Sequence, residues 1–234
     1  MGGAAKFNRG YMHNLQTRNQ GIRRAFARFP REDFIPPEFS HLKQEARLDT
    51  PVVFDELYVM AEPSVVARML ANLRLTGSEK VLEVGAGTGF VTSLLSTLAR
   101  EVYAFEKKGD FFEFAKNKLK EQGVQNVHLF WGDGGSGMHG EAPFDAVIVE
   151  ASTYAMPHKL IRQLKPGGRI VMPVGHIQQQ QLLAGVKQED HMGRTHYEKV
   201  HFFQLSGGQG HDFMAGQNPY RKYFRPHGQK RPYK

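Results

Sequence analysis

Apolar Leu15, Ile22, Phe26 and Phe29 recur at roughly helical spacing through LQTRNQGIRRAFARFPREDFIP, and the run stops at a proline. This predicts an N-terminal helix leading into an irregular segment. The next periodic stretch, SVVARMLANLRL, puts Val65, Val66, Met69, Leu70 and Leu73 on one face and follows Pro63, a residue suited to the first turn of a helix. From EKVLEV onward the pattern changes to short continuous apolar runs separated by longer amphipathic ones. EKVLEVGAGTGF reads as a strand ending in glycines and TSLLSTLAR as a helix. EVYAFE, NVHLFWGD, FDAVIVEA and RIVMPVG read as further strands, with glycine-stopped helices at DFFEFAKNKLKEQG and PHKLIRQLKPGG. Such alternation predicts an α/β fold with a mostly parallel sheet covered on both faces. QQQLLAGVKQ and EKVHFFQLSG are expected to pair as a late hairpin that turns within EDHMGRTH.

Composition narrows the class. With 40% hydrophobic and 23% charged residues, 234 residues suffice for one domain with a sizeable core. Cysteine is absent, which excludes a disulfide framework and thiolate catalysis. No apolar run has membrane-spanning length and no basic-then-apolar leader is present, so a cytoplasmic protein is expected. MGGAAK carries Lys6 where a myristoylation site needs Ser or Thr, which argues against a lipid anchor. The net charge of +8 is concentrated at the ends: residues 1–31 hold seven Lys or Arg and residues 214–234 hold six, with no acid in either. Such ends suit nucleic acid or an acidic partner, and Tyr and Phe within NPYRKYFRPHGQKRPYK can stack on bases. Solvated tails that assist solubility account for the same composition.

The chemistry lies in VLEVGAGTGF. A glycine turn between strand and helix lets a cofactor approach backbone that any side chain would block. A dinucleotide fingerprint is G-x-G-x-x-G, but this pattern is Glu83-x-Gly85-x-Gly87-x-Gly89, with an acid that would repel a diphosphate. A cofactor with a cationic centre, an ammonium group and no phosphate fits better, and S-adenosylmethionine (SAM) has those properties. Glu106, 21 residues beyond Gly85, ends the next strand, where a carboxylate can accept hydrogen bonds from both ribose hydroxyls. Asp133 and Gly134 follow the third strand; the acid can accept from an adenine amino group, or it can simply form the turn before glycine. Three acids at three successive strand ends favour a methyltransferase over a dehydrogenase.

PREDFIPPEF, LDTPVVF, VLEVGAGTGF, GDGGSG, APFDAVIVEA and MPHKLIRQLKPGGRIVMPVG together resemble the protein-L-isoaspartate O-methyltransferases, over about residues 15–206. The resemblance implies a Rossmann-like fold with a mainly parallel seven-stranded sheet and extra N-terminal helices. It also implies a SAM-dependent enzyme that esterifies the side carboxylate of isoaspartyl residues in damaged proteins or peptides. Glu83, Gly85, Gly87, Glu106, Asp133 and Gly134 would be its SAM contacts. One domain is expected over 1–234, with basic tails at 1–14 and 214–234, a helical substrate-side segment at 15–75 and a SAM-binding core at 76–213.

The departures fall on the acceptor side. DELYVMAEP, residues 55–63, holds no Ser, Thr, Cys, His or Lys. Aligned on Pro63, Ala61 stands where the family's active-site serine belongs, flanked by Val59, Met60 and Glu62. Glu150 ends the fourth strand where the family has a small or neutral residue. An acid there would oppose an anionic acceptor and can accept a proton or hydrogen bond from an amine. Two further readings therefore stand beside the leading one: a changed acceptor such as RNA, an amine or a peptide natural product, and a SAM-binding scaffold without activity. Ser152 and Tyr154 are further candidates for substrate contact. His191, His196, His201 and His211 have no zinc-ligand spacing, so no metal is expected.

Overall fold

The computed structural model describes residues 10–15, 17–55, 58–151, 153, 157–175, 180–189 and 192–200, the last seven as backbone. Helix α1 (Gln20–Arg28) starts where the Asn19 side chain accepts from the N–H groups of Gly21 (2.9 Å) and Ile22 (3.2 Å), and it buries Ile22, Ala25 and Phe26. The irregular segment expected after it consists of three 3₁₀ turns between residues 31 and 47. Strands β1 (Val52–Val53) and β2 (Val59–Met60) then form a small antiparallel hairpin, a feature the apolar pattern does not announce. Helix α2 (Pro63–Leu73) has Pro63 in its first turn, and its Ser64 N–H donates to Asp49 Oδ1 at 2.9 Å. A side chain 15 residues upstream thus satisfies one of the orphan donors at this helix end.

From residue 80 the chain alternates as expected: β3 (Lys80–Val84), α3 (Phe90–Ser96), β4 (Glu101–Glu106), α4 (Gly109–Glu121), β5 (Val127–Trp131), β6 (Phe144–Val149), α5 (His158–Arg162) and β7 (Leu164–Val174). The hairpin β8 (Gln180–Lys187) and β9 (Met192–Val200) completes a seven-stranded sheet of order β5-β4-β3-β6-β7-β8-β9. Pairing is parallel from β5 to β7 and antiparallel beyond. The order reverses between β3 and β6, and the crevice beyond their carboxyl ends is where such sheets place ligands.

Alternation along the strands builds two cores. Val81, Val102, Ala104, Ala146 and Ile148 pack with α1, α2, α3 and Phe111 of α4, whereas Leu82, Val84, Val147 and Val149 pack with Leu160 of α5. Phe26 and Phe34 stand edge-on to Phe90 at 5.8 and 5.5 Å, fixing the N-terminal segment to the start of α3. None of the helices among the described residues is long and apolar enough to cross a membrane.

Two boundaries differ from expectation. The helix expected through PHKLIRQLKPGG ends at Arg162, because Phe144 N–H donates to Gln163 O at 2.8 Å and draws the chain into β7 at Leu164. Lys165–Gly168 is then an irregularity within that strand, between the pairs Phe144–Leu164 and Ala146–Arg169. The late hairpin turns before Met192, so MGRTH lies in β9 rather than in the turn.

Arg31 joins the irregular segment to the hairpin. Fully buried, it donates from Nη2 to the carbonyls of Met60 and Ala61, both at 2.9 Å, and from Nη1 to Leu48 O at 3.2 Å. Burial lowers its pKa to about 10, so it stays charged at neutral pH. Arg31→Ala leaves three carbonyls without their donor, and we expect it to lower the unfolding free energy by about 3–5 kcal/mol in urea titrations. A loss below about 1 kcal/mol would contradict this role.

Candidate functional site

The turn after β3 is held by its neighbour on the sheet: the N–H groups of Gly85 and Ala86 both donate to Phe105 O at 2.9 Å. Gly85 has φ +95°, and a Cβ there would lie 3.4 Å from the Cβ of Glu150. Glycine thus permits the turn and keeps the space beside Glu150 open. At the end of β4, Glu106 is 3% exposed and accepts from Gly87 N–H at 2.7 Å and Lys108 N–H at 2.6 Å, one at each oxygen. Burial raises its pKa while these N–H donors and the Lys108 charge work against that. The backbone N–H of Lys107 also acts on this carboxylate, which with about four acceptor sites keeps some capacity for a ligand.

Glu83 is fully buried on β3, and neither of its oxygens has a hydrogen-bond partner. Thr92 of α3 lies beside it, its hydroxyl also short of a completed hydrogen bond. Burial pushes Glu83 up to about 8; Thr92 works in the opposite direction, and the charge of Glu106 adds to the rise. Glu150 follows β6, with its backbone N–H on Val84 O at 2.8 Å. Its Oε1 is buried without a partner, and burial, aided by Glu83, holds its pKa well above the carboxylate range. The strand register pairs Glu83 with both Ala104 and Ile148, so Glu83, Glu106 and Glu150 share one face at three adjacent strand ends.

Beyond β5, Asp133 is exposed and accepts from Gly135 N–H at 2.8 Å, so one of its oxygens forms the turn. Gly134 is buried where a Cβ would sit 2.7 Å from that of Phe105, a position no other residue fills without displacement. Gln163 ties this loop down, accepting from Met138 N–H at 2.7 Å and donating to Ser136 O at 2.8 Å.

The opposite wall is the β1–β2 hairpin. Asp55 pairs with Lys108, whose Nζ also lies 4.4 Å from the Tyr58 ring centre and 4.5 Å from that of Phe111. Tyr58 and Phe54 both stand edge-on to Phe111, at 4.9 and 5.3 Å. Tyr58 is held neutral by burial and by the charges of Glu106 and Asp55. Val59 is partly exposed, Met60 and Ala61 are buried, and Glu62 occupies the N-cap position of α2, where its charge supports Arg31. Pro63 has no N–H and that of Ser64 is given to Asp49, so neither replaces a hydroxyl at residue 61.

The residue pattern leaves Arg31, Thr92, Lys108 and Gln163 unremarked as parts of this arrangement. Ser152, Tyr154, His191, His201, His211 and the tail 214–234 lie outside the described residues, as does the side chain of His196. Among the described residues there is no group of three His, Asp or Glu able to hold a metal. The orphaned carboxylate oxygens of Glu83 and Glu150 suit a cationic ligand group and oppose a phosphate.

A mainly parallel seven-stranded sheet with acids and a glycine turn at its switch point defines a Rossmann-like methyltransferase. Two solved structures share the fold. One is a protein-L-isoaspartate O-methyltransferase with a TM-score of 0.75 and 24% identity, the match covering 86% of this chain and 66% of that one. The other, described as a beta-aspartate methyltransferase (PCMT) of Plasmodium falciparum in complex with S-adenosyl-L-homocysteine, has a TM-score of 0.70 and 18% identity and covers 85% and 97% of the two chains. The family model for Protein-L-isoaspartate(D-aspartate) O-methyltransferase (PCMT) matches residues 8–210, and the chain belongs to that family. Relatives named protein-L-isoaspartate O-methyltransferase include one from Myxococcus xanthus, 40% identical over 70% of this chain and 76% of its own length. Another, from Koribacter versatilis, is 35% identical over 87% and 93%.

Glu83 binds more protons in the folded than in the unfolded chain between its ordinary value of 4.5 and about 8. Its stabilising contribution is therefore complete below that window and is lost as pH rises through it. In melts of the ligand-free protein, the stability difference between wild type and Glu83→Gln should shift against wild type by a few kcal/mol from about pH 5 to about pH 9, at roughly 1.4 kcal/mol per unit. A pH-independent difference would contradict the burial of an unpaired carboxylate.

Proposed function

We propose that this protein is a SAM-dependent methyltransferase that esterifies the side-chain carboxylate of isoaspartyl residues in proteins or peptides. The observation that carries the reading is the glycine turn between Glu106, held by backbone N–H groups, and Glu83, buried and unpartnered, in a chain of the PCMT family. The relatives' shared name and the S-adenosyl-L-homocysteine in the Plasmodium falciparum structure support the same donor and acceptor.

SAM, when bound, would supply an electrophilic methyl on its sulfonium, and an ionised carboxylate can take that methyl near pH 7 without a general base, the thioether leaving. The protein's work is therefore positioning and charge. Glu106, fixed by the N–H groups of Gly87 and Lys108, presents its remaining lone pairs to the ribose hydroxyls. Asp133 offers its free oxygen to the adenine amino group, and Gly134 leaves room for the ring. Gly85 gives access to the methionine end beside Glu83 and Glu150. The core over 76–213 thus holds the donor. Residues 15–75 hold the acceptor, where Val59–Glu62 would line its approach.

Ala61 carries no hydroxyl to orient the acceptor. A hydrogen bond to a charged group contributes about 1.5–3 kcal/mol, so Ala61→Ser should raise kcat/KM for an isoaspartyl peptide by roughly 10- to 150-fold. The measurement is base-labile tritiated methyl transferred from SAM to the peptide. Binding of SAM without ester formation by either protein would overturn the isoaspartyl acceptor.

A further inference from the structure

Glu150 is the acid whose place in methyl transfer is least evident, since a carboxylate near an anionic acceptor hinders it. Its surroundings point to the donor instead. The pairing of Glu83 with Ile148 and of Val84 with Val149, together with the Glu150 N–H on Val84 O, puts Glu83 and Glu150 on one face of adjacent strands. Gly85, two residues after Glu83, faces Glu150 with only the 3.4 Å separation of a would-be Cβ between them. Glu83 is fully buried with both oxygens unpartnered, and Glu150 Oε1 is buried and equally unpartnered.

No cation of the described chain answers this pair. From β4 the nearest charge is Glu106, another acid, and from α3 the facing group is the neutral hydroxyl of Thr92. On the hairpin side Lys108 pairs with Asp55, and Tyr58 is neutral. At the start of α2, Arg31 gives its guanidinium to three backbone carbonyls, and Glu62 is a further acid. Glu83 is fully buried and Glu150 partly so, and two adjacent carboxylates in such a place resist ionising together without a counter-charge. That charge must come as a proton or with a ligand.

We propose that Glu83 and Glu150 form a proton-holding carboxylate pair that releases a proton to receive the cationic amino-acid end of SAM, and so discriminates SAM from its demethylated product by charge. The inference rests on SAM being the donor. SAM carries an α-ammonium, an α-carboxylate and a sulfonium; S-adenosylhomocysteine keeps the first two and lacks the sulfonium. After transfer the pair faces one positive charge fewer and takes a proton back, which weakens its hold on the product. Burial raises the pKa of both acids, Glu83 to about 8, so the pair holds protons that an incoming cation can displace.

The test is calorimetric titration of the full chain with SAM and with S-adenosylhomocysteine, in buffers of differing ionisation enthalpy. At neutral pH, SAM binding should release about one proton and product binding clearly less. SAM affinity should rise by up to about tenfold for each unit increase in pH, levelling off above about pH 8. Glu150→Gln should reduce the proton release and bring the two affinities together, with melting curves reporting that the variant is folded. Wild-type SAM binding whose heat is independent of buffer, or equal proton release with both compounds, overturns the pair. Failure to bind either compound at high micromolar concentration removes the donor reading and this inference with it.

Discussion

The parallel register of β4, β3 and β6 is the constraint on which the site depends. Because Glu83 pairs with Ala104 on one side and Ile148 on the other, Glu106 and Glu150, each two residues further along, project from the same face as Glu83. A slip of one residue in either pairing would send an acid to the opposite core, among Val84, Val147 and Val149. The apolar alternation that buries Val81, Ala104 and Ile148 under α1–α3 fixes that register. Hydrophobic packing thus brings the carboxylates together against their own electrostatic preference. The glycine turn completes the arrangement by ending β3 without a side chain where Glu150 stands.

A second structure is built onto this frame from the N-terminal side. Phe26 and Phe34 anchor against Phe90, Arg31 holds the carbonyls of Met60 and Ala61, and Asp49 caps α2. The β1–β2 hairpin is fixed at its other end by Asp55 on Lys108 and by Tyr58 and Phe54 on Phe111. Lys108 connects the two halves, since its backbone N–H binds Glu106 and its side chain binds Asp55. The position of the hairpin over the sheet ends is therefore coupled to the carboxylate at the end of β4.

Most of the framework was legible because it follows from period. Each strand of the parallel sheet is a short apolar run, and the glycine turn and acids at the strand ends are visible as spacing. The β1–β2 hairpin was not legible: its strands have two residues each, too few for a period, and they are specified by contacts with Arg31 and Phe111 distant in sequence. PHKLIRQLKPGG misleads for a related reason. Pro-Gly-Gly has the chemistry of a helix stop, yet the hydrogen bond from Phe144 to Gln163 starts the strand earlier. Glu106 and Glu83 could be named from the sequence, but their difference could not. One carboxylate is satisfied by backbone N–H groups and the other has beside it only the Thr92 hydroxyl, short of a completed bond, a distinction set by tertiary contacts alone.

The departures at Ala61 and Glu150 act on different parts of the site. Arg31 grips residue 61 through its carbonyl, so the backbone there does not depend on which side chain it carries. On the proposed reading, a missing hydroxyl at that position costs one contact with an acceptor and leaves the path of the chain as it is. Glu150 instead changes the charge at the mouth of the glycine turn, beside an acid that already lacks a partner. An added carboxylate there raises the electrostatic demand for a cation and leaves the acceptor wall across the crevice unaltered in shape. A weaker hold on the acceptor and a stronger demand for a charged donor are compatible in one enzyme, because the two walls are built from separate segments that meet at Lys108.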